Sequence, residues 1–224
     1  MILDFTTTAV ARPKIVDRTY ASFHKNLKGI EFDKCTLYIN IDPLPASVDR
    51  NKVIKVAEKY FGKVVANTPE QGNYTQAYNW CWSSAQTEYI FNLEDDWTLK
   101  EEVNVDRIMR FFDAHKNLFE VALRAYPYVY QKCPTSPAFL HERFYKKVGG
   151  NLDPTLNPET QLRGKKFGIK MPCKAENISH EGKVCVYPKN VKKVILKDIG
   201  REWIESSKFK RPPKKARFTT WVTK

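Results

Sequence analysis

No apolar run in this 224-residue chain approaches the ~20 residues that a membrane-crossing helix needs. The N-terminus, Met-Ile-Leu-Asp-Phe-Thr, has no basic stretch followed by an apolar one, so no signal peptide is visible. Cysteine is sparse: five residues (35, 81, 133, 173 and 185), an odd number without CxxC spacing. That pattern argues against a disulfide framework or a zinc site and predicts a reducing, cytoplasmic setting. Walker A, HExxH and GxSxG motifs are all missing, which sets aside ATPase, metalloprotease and serine hydrolase readings. Acidic residues are scarce in one place only. Residues 1–159 carry 20 Lys+Arg and 20 Asp+Glu, whereas residues 160–224 carry 18 and 5, so the whole +13 excess lies in the last 65 residues. The stretch from Lys208 to Lys224 has seven basic residues, no acid, and Phe209, Phe218 and Trp221 interleaved. Such asymmetry points either to a polyanionic partner or to a solvated basic face.

What is present is ordinary globular material, 42% hydrophobic and 28% charged, which argues against disorder. Apolar periodicity predicts strands over 1–9, 35–41, 63–66 and 89–93, separated by helices over 14–27, 47–60 and 74–86, with Ser47 as the cap of the second helix. Strands alternating with helices of this length indicate βαβ units and a mostly parallel sheet. The second half is less regular. It reads as a helix over 101–116, a strand over 119–125, a helix near 138–148, and short strand-like runs over 183–199. One two-part domain over 1–205, with a basic tail over 206–224, is the expected organisation.

In parallel sheets, ligands bind beyond the carboxyl ends of the strands. Thr7 and Thr8, Asp42, and Glu94-Asp95-Asp96 all fall near such ends. Three consecutive acids after an apolar strand are costly if buried unpaired. In extended backbone Glu94 and Asp96 point to the same side, where two carboxylates can hold a hard divalent cation and leave positions for phosphate oxygens. A helix start would explain one of these acids and leave the others unexplained.

The run Gly72-Asn73-Tyr74-Thr75-Gln76-Ala77-Tyr78-Asn79-Trp80, followed by Tyr89-Ile90-Phe91-Asn92-Leu93-Glu94-Asp95-Asp96-Trp97, resembles the core of GT-A fold glycosyltransferases, particularly those similar to family 2. The opening Thr-Thr-Thr-Ala-Val-Ala-Arg-Pro and the strand ending in Asp42 resemble the start of that fold. The likeness covers residues 3–100 well and 101–205 loosely, with Glu-Asp-Asp standing where many relatives have Asp-x-Asp. It implies an α/β, Rossmann-like fold, a nucleotide-diphosphate sugar as donor and Mn2+ or Mg2+ as cofactor. Position by position, it implies Thr7 and Thr8 beside the nucleotide and Arg12 near its phosphates. Asp42 would accept from the base, and Gln76 and Asn79 would line the pocket. Asp95 would meet the ribose or donor sugar, and Glu94 and Asp96 would hold the metal. Arg201 would pair with diphosphate from a closing segment, and His180 would complete the metal site. An inverting transfer needs a base. Glu159, behind Pro158 at a helix start, is the first candidate and Asp153 the second.

Simpler roles stand beside these: Asp42 as a turn former before Pro43, Gln76 and Asn79 as an exposed helix face, and Glu159 as a residue favoured by the helix dipole. For the acceptor, the basic last third suggests DNA, with Lys210, Arg211, Lys214 and Lys215 as phosphate contacts. Viral enzymes resembling this class glycosylate hydroxymethylated pyrimidines. A surface or capsule glycan is the alternative acceptor. A non-catalytic nucleic-acid binder that has kept a nucleotide-sugar fold is the alternative class.

Overall fold

The structure, a computed structural model, describes residues 1–125, 137–162, 184–188, 193–206, 209–210 and 222–223. Strand and helix alternate through the first half: β1 (Asp4–Val10), α1 (Pro13–Asn26), the short β2 (Leu27–Lys28), β3 (Thr36–Asp42), α2 (Asn51–Ala57), β4 (Lys63–Asn67), α3 (Tyr74–Ser84) and β5 (Tyr89–Asn92). There follow β6 (Trp97–Leu99), β7 (Val103–Asn104), α4 (Val105–Ala114), β8 (Glu120–Leu123), β9 (Ala138–His141), α5 (Glu142–Val148), α6 (Pro158–Leu162), β10 (Val184–Tyr187), β11 (Leu196–Asp198) and α7 (Gly200–Ser206). Two short strands, β12 (Phe209–Lys210) and β13 (Val222–Thr223), pair antiparallel with each other.

Seven strands form the central sheet in the order β10-β8-β9-β5-β1-β3-β4. β1 runs parallel to β3 and β5, β3 to β4, and β8 to β10; β9 runs antiparallel to both β5 and β8. One face packs Phe5, Leu37, Ile39 and Phe91 against α1, α2 and α4 through Val16, Tyr20, Val53 and Ile108. The other packs Ile90, Ala122 and Leu140 against α3, α5 and α6 through Trp82, Tyr145 and Leu162. Helices on both faces explain why β1 is buried along its whole length and β3 over its last four residues, with no alternation of buried and exposed positions there. At the centre, the Phe5 ring meets Phe61 edge-on at 4.9 Å and Phe91 at 5.5 Å. Such pairs contribute about 0.5–1.5 kcal/mol each beyond their buried area.

Three expected elements differ. The helix over 138–148 begins as strand β9, because Ala138–His141 is inserted between β5 and β8 and is buried along its whole length. Four consecutive buried residues suit a central strand and not an amphipathic helix. The helix over 47–60 is confined to Asn51–Ala57; Arg50 stands at its N-cap, so Ser47 does not cap it. The helix over 101–116 starts only at Val105, where the Asn104 side chain accepts from the Asp106 N–H at 2.9 Å, after β7 has paired with β2.

Because β1, β3, β4 and β5 are parallel, their carboxyl ends share one rim. Arg12, Asp42, Asn67 and the Glu94–Asp96 run are delivered there together.

Candidate active site

Arg12 is the organising side chain of that rim. Pro13 at the first position of α1 sets the helical start with no loss of a needed N–H, and the residue before it swings toward β5. The guanidinium donates to Asp95 through Nε (3.2 Å, to Oδ2) and Nη2 (2.5 Å, to Oδ1), and Nη2 also reaches Asp96 Oδ2 at 3.2 Å. Arg12 is only 5% exposed. Burial works against its charge, but Asp95 and Asp96 outweigh that and raise its pKa further. Its Nη1 is buried without a hydrogen-bond partner among the described residues. The ring of Trp203, from α7, lies 4.9 Å from the guanidinium carbon in a cation–π contact.

The three acids have different surroundings. Asp95 is buried; besides Arg12 it accepts from the Val10 N–H at 3.2 Å, and its backbone carbonyl accepts from the Thr19 hydroxyl at 2.8 Å. Glu94 is encircled by donors: Tyr74 Oη at 2.5 Å, Tyr78 Oη at 3.5 Å and Trp97 Nε1 at 2.9 Å. Asp96 has Arg12 on Oδ2, while its Oδ1 accepts nothing among the described residues. Burial, then each acid's neighbour among the three, raises the pKa of both Glu94 and Asp96. Burial and then Glu94 push the Tyr74 phenol well above its usual range, so Tyr74 remains a donor.

β11 and α7 close over this cluster. β11 pairs with β6 beside the acids, and the Ile199 N–H donates to the Asp96 carbonyl at 2.8 Å. Gly200 then passes so close that a Cβ would lie 2.1 Å from Asp96 Oδ2. Only glycine permits that approach.

Asp42 ends β3 and is 8% exposed. Its Oδ1 accepts from Asn40 Nδ2 at 2.8 Å, and Asn40 Oδ1 in turn accepts from Asn67 Nδ2 at 2.7 Å. Burial raises its pKa to about 6 against the lowering effects of Asn40, Arg50 and the Asn73 backbone; Asp95 raises it further. A Cβ on Gly72 would come within 3.1 Å of Asp42 Oδ2, so that glycine leaves room beside the carboxylate.

The N-terminal half of α3 holds the 152–156 turn. Asn73 caps the helix by accepting from the Thr75 and Gln76 N–H groups at 3.1 and 3.0 Å, and its Nδ2 donates to the Pro154 carbonyl. Thr75 Oγ1 donates to the Leu156 carbonyl at 2.6 Å. Asn79 clasps Leu152 from both sides, donating to its carbonyl at 2.8 Å and accepting from its N–H at 3.0 Å. This turn leads into α6, whose first turn carries Glu159 close enough to raise the pKa values of Glu94 and Tyr74.

Of the residues singled out in the sequence, Arg12, Asp42, Glu94, Asp95, Asp96 and Glu159 come together. Thr7 is wholly buried in β1, and Thr8 is 8% exposed. Gln76 is on the exposed side of α3, and both polar side-chain atoms of Asn79 are engaged with Leu152. Asp153 is exposed and accepts from the Thr155 N–H and hydroxyl at 2.9 and 2.7 Å, a local turn. Arg201 is exposed and pairs with Asp198 at 3.1 Å. His180, Arg211, Lys214 and Lys215 lie outside the described residues, as does the side chain of Lys210. Tyr74, Trp97, Asn40 and Gly200 belong to the site although no role was expected of them. Trp97 directly follows the acids, and Gly200 sits in the closing segment; those were the available signals.

Among the described residues no group of three metal-ligating side chains converges. The acids still offer a hard cation oxygen donors only, with no hydrogen bond to Asp96 Oδ1 among the described residues, while the Arg12 nitrogen that lacks an acceptor beside them suits an anionic ligand oxygen. Ligand oxygens would have to complete such a site.

No family model and no curated protein matches the sequence. Solved structures do match. S. aureus TarS superposes with a TM-score of 0.62 at 12% identity over 92% of this chain and 38% of that one. A mannosyltransferase from Pyrobaculum calidifontis, solved with GDP-Man and Mn2+, gives 0.58 at 11% over 85% of this chain and 56% of that one. TarS 1–349 with UDP-GlcNAc gives 0.53 at 11% over 87% of this chain and 58% of that one. The chain therefore has the GT-A nucleotide-sugar glycosyltransferase fold, and it spans well under two thirds of the length of these proteins. Among the described residues no helix is long and apolar enough to cross a membrane.

Proposed function

We propose that this protein is a metal-dependent, inverting glycosyltransferase that moves a sugar from a nucleotide-diphosphate sugar to an acceptor hydroxyl. The observation that carries the reading is the half-open Asp96 carboxylate beside the buried, incompletely paired Arg12, on the ligand-binding rim of a GT-A fold. Asp42, oriented by Asn40, accepts a hydrogen bond from the nucleobase. Arg12 supplies donors to the diphosphate. Asp96, with Glu94 or Asp95, would hold the cation, which when bound offsets the charge growing on the leaving diphosphate. Glu159 takes the proton of the acceptor hydroxyl. His180 and Arg201 are secondary candidates for metal and diphosphate. The basic last third recruits a polyanionic acceptor, DNA bearing hydroxymethylated pyrimidine before an anionic glycan.

A thermal-shift screen of UDP, GDP, ADP, CDP and dTDP, with and without Mn2+, tests the donor reading. One diphosphate should raise Tm only with Mn2+, through the ~2.7 kcal/mol of added stability expected when ligand reaches about 100 times its Kd. Asp96→Asn should abolish the metal-dependent part and leave the ligand-free Tm within a few degrees. A full set without any shift would overturn the reading.

A further inference from the structure

We propose that Arg12 is a resident cation of the donor site, and that it prevents a divalent metal from binding unless a nucleoside diphosphate arrives with it. The inference rests on the nucleotide-sugar reading above. Arg12 is the positive charge that the structure places on Asp95 and Asp96, at 2.5 and 3.2 Å. A metal ion binding alone on Asp96 would compete with that guanidinium for the same carboxylate. It would take Asp96 from a buried guanidinium that keeps its two hydrogen bonds to Asp95 and whose Nη1 already lacks an acceptor, and would set a second positive charge beside it. Two positive charges held that close in a buried site repel strongly. Nor do the described side chains offer a bare ion a third ligand.

A diphosphate resolves both difficulties. Its oxygens complete the coordination of the metal, and its negative charge takes over the guanidinium that Asp96 releases. Nη1, now without an acceptor, gains one. Metal and diphosphate are then bound as a unit, with Arg12 exchanging Asp96 for phosphate while it keeps Asp95.

Trp203 sits on the same guanidinium at 4.9 Å, and Gly200 on the same Asp96 carboxylate. The exchange therefore alters the surroundings of α7 as well. Trp203 fluorescence becomes a readout independent of turnover.

The test is equilibrium dialysis of Mn2+ against wild type, Arg12→Gln and Arg12→Lys, alone and with saturating UDP, GDP, ADP, CDP or dTDP in turn. Wild type should take up Mn2+ weakly alone and at least tenfold more tightly with one diphosphate. Arg12→Gln should bind Mn2+ alone roughly tenfold or more tightly than wild type, since a competing buried charge is gone. Its gain from the diphosphate should shrink. Arg12→Lys, which keeps the charge, should still exclude the bare ion. An auxiliary role for Arg12 in shaping the metal site predicts the opposite sign: weaker Mn2+ binding in Arg12→Gln. That result, or equal binding in Arg12→Gln and wild type with diphosphate-assisted uptake intact, overturns the exchange alone. Absence of Mn2+ uptake by wild type in every arm overturns the donor reading and the exchange with it. Should Arg12→Gln fail to fold, wild type still decides. Its fluorescence minus that of Trp203→Phe should be unchanged by Mn2+ and shifted by Mn2+ with the diphosphate. Tight Mn2+ binding without diphosphate sinks the proposal.

Discussion

Gly200 lies against the Asp96 carboxylate: a Cβ there would stand 2.1 Å from Oδ2 and 2.9 Å from Asp96 Cβ itself. The second distance matters more, because rotating the carboxylate relieves the first and not the second. Residues 104 positions apart are thus packed to a tolerance of one methyl group, and α7 is registered directly on the acids.

Gly200→Ala must therefore move either Asp96 or α7. Overpacking of this kind costs about 1–3 kcal/mol. At a reacting site, a shift of about 1 Å can cost ~10²-fold in rate. Transfer activity should fall at least tenfold while Tm drops by only a few degrees. Wild-type turnover in Gly200→Ala would show that α7 does not register the acids.

Glu159→Gln should leave donor binding intact and slow transfer by ~10²-fold or more, the size of a general-base contribution. Asp153→Asn should do little, because that carboxylate is engaged with Thr155 in an exposed turn. Measuring kcat together with nucleotide affinity for both variants separates the roles. A large loss in affinity on Glu159→Gln would place that residue in the donor pocket instead.

Glu120, on β8 between β9 and the edge strand β10, is 2% exposed, and burial raises its pKa to about 8. The folded chain keeps this proton to about pH 8, while the unfolded chain releases it near the ordinary value of 4.5. In that window the native state binds more protons, so stability falls as pH rises, by up to ~1.4 kcal/mol per unit. The loss is complete above the folded pKa. Glu120→Gln should flatten this slope between about pH 5 and pH 8, as read from urea unfolding of both proteins across that range. Parallel profiles would mean that Glu120 does not titrate as its burial requires.

The basic tail is tested by salt. Duplex DNA binding should weaken with a log–log slope of about −0.9 per neutralised phosphate. Replacing Lys210, Arg211, Lys214 and Lys215 with Ala should lower that slope and weaken all sequences alike. Donor hydrolysis should not change. Absence of DNA binding at ~50 mM salt, where phosphate contacts are strong, would turn the acceptor proposal toward a glycan.

Much of the sheet was legible in the chain itself. β1, β3, β4 and β5 are short strands rich in apolar and β-branched residues between turn signals, and α1 and α3 carry their own start signals in Pro13 and Asn73. These depend on periodicity and capping within a dozen residues, so local sequence carries them. The acids after β5 were legible for the same reason: three charges in a row after a buried strand need an explanation that packing alone does not supply. Strand β9 was not legible, because its identity depends on being received between β5 and β8, which lie far from it in the sequence.

The division runs through the site as well. Sequence alone determined which residue types would stand on the rim, because strand ends and turn residues are locally encoded. Tertiary structure decided their partners. Arg12 meets Asp95 across 83 positions, Tyr74 takes Glu94 across 20, and Gly200 takes Asp96 across 104. It also committed Asn79 to Leu152 and Asp153 to its own turn. The physical reason is that a carboxylate's role depends on its burial and on which donors reach it. Both are properties of chain crossings, and no local window of sequence contains them.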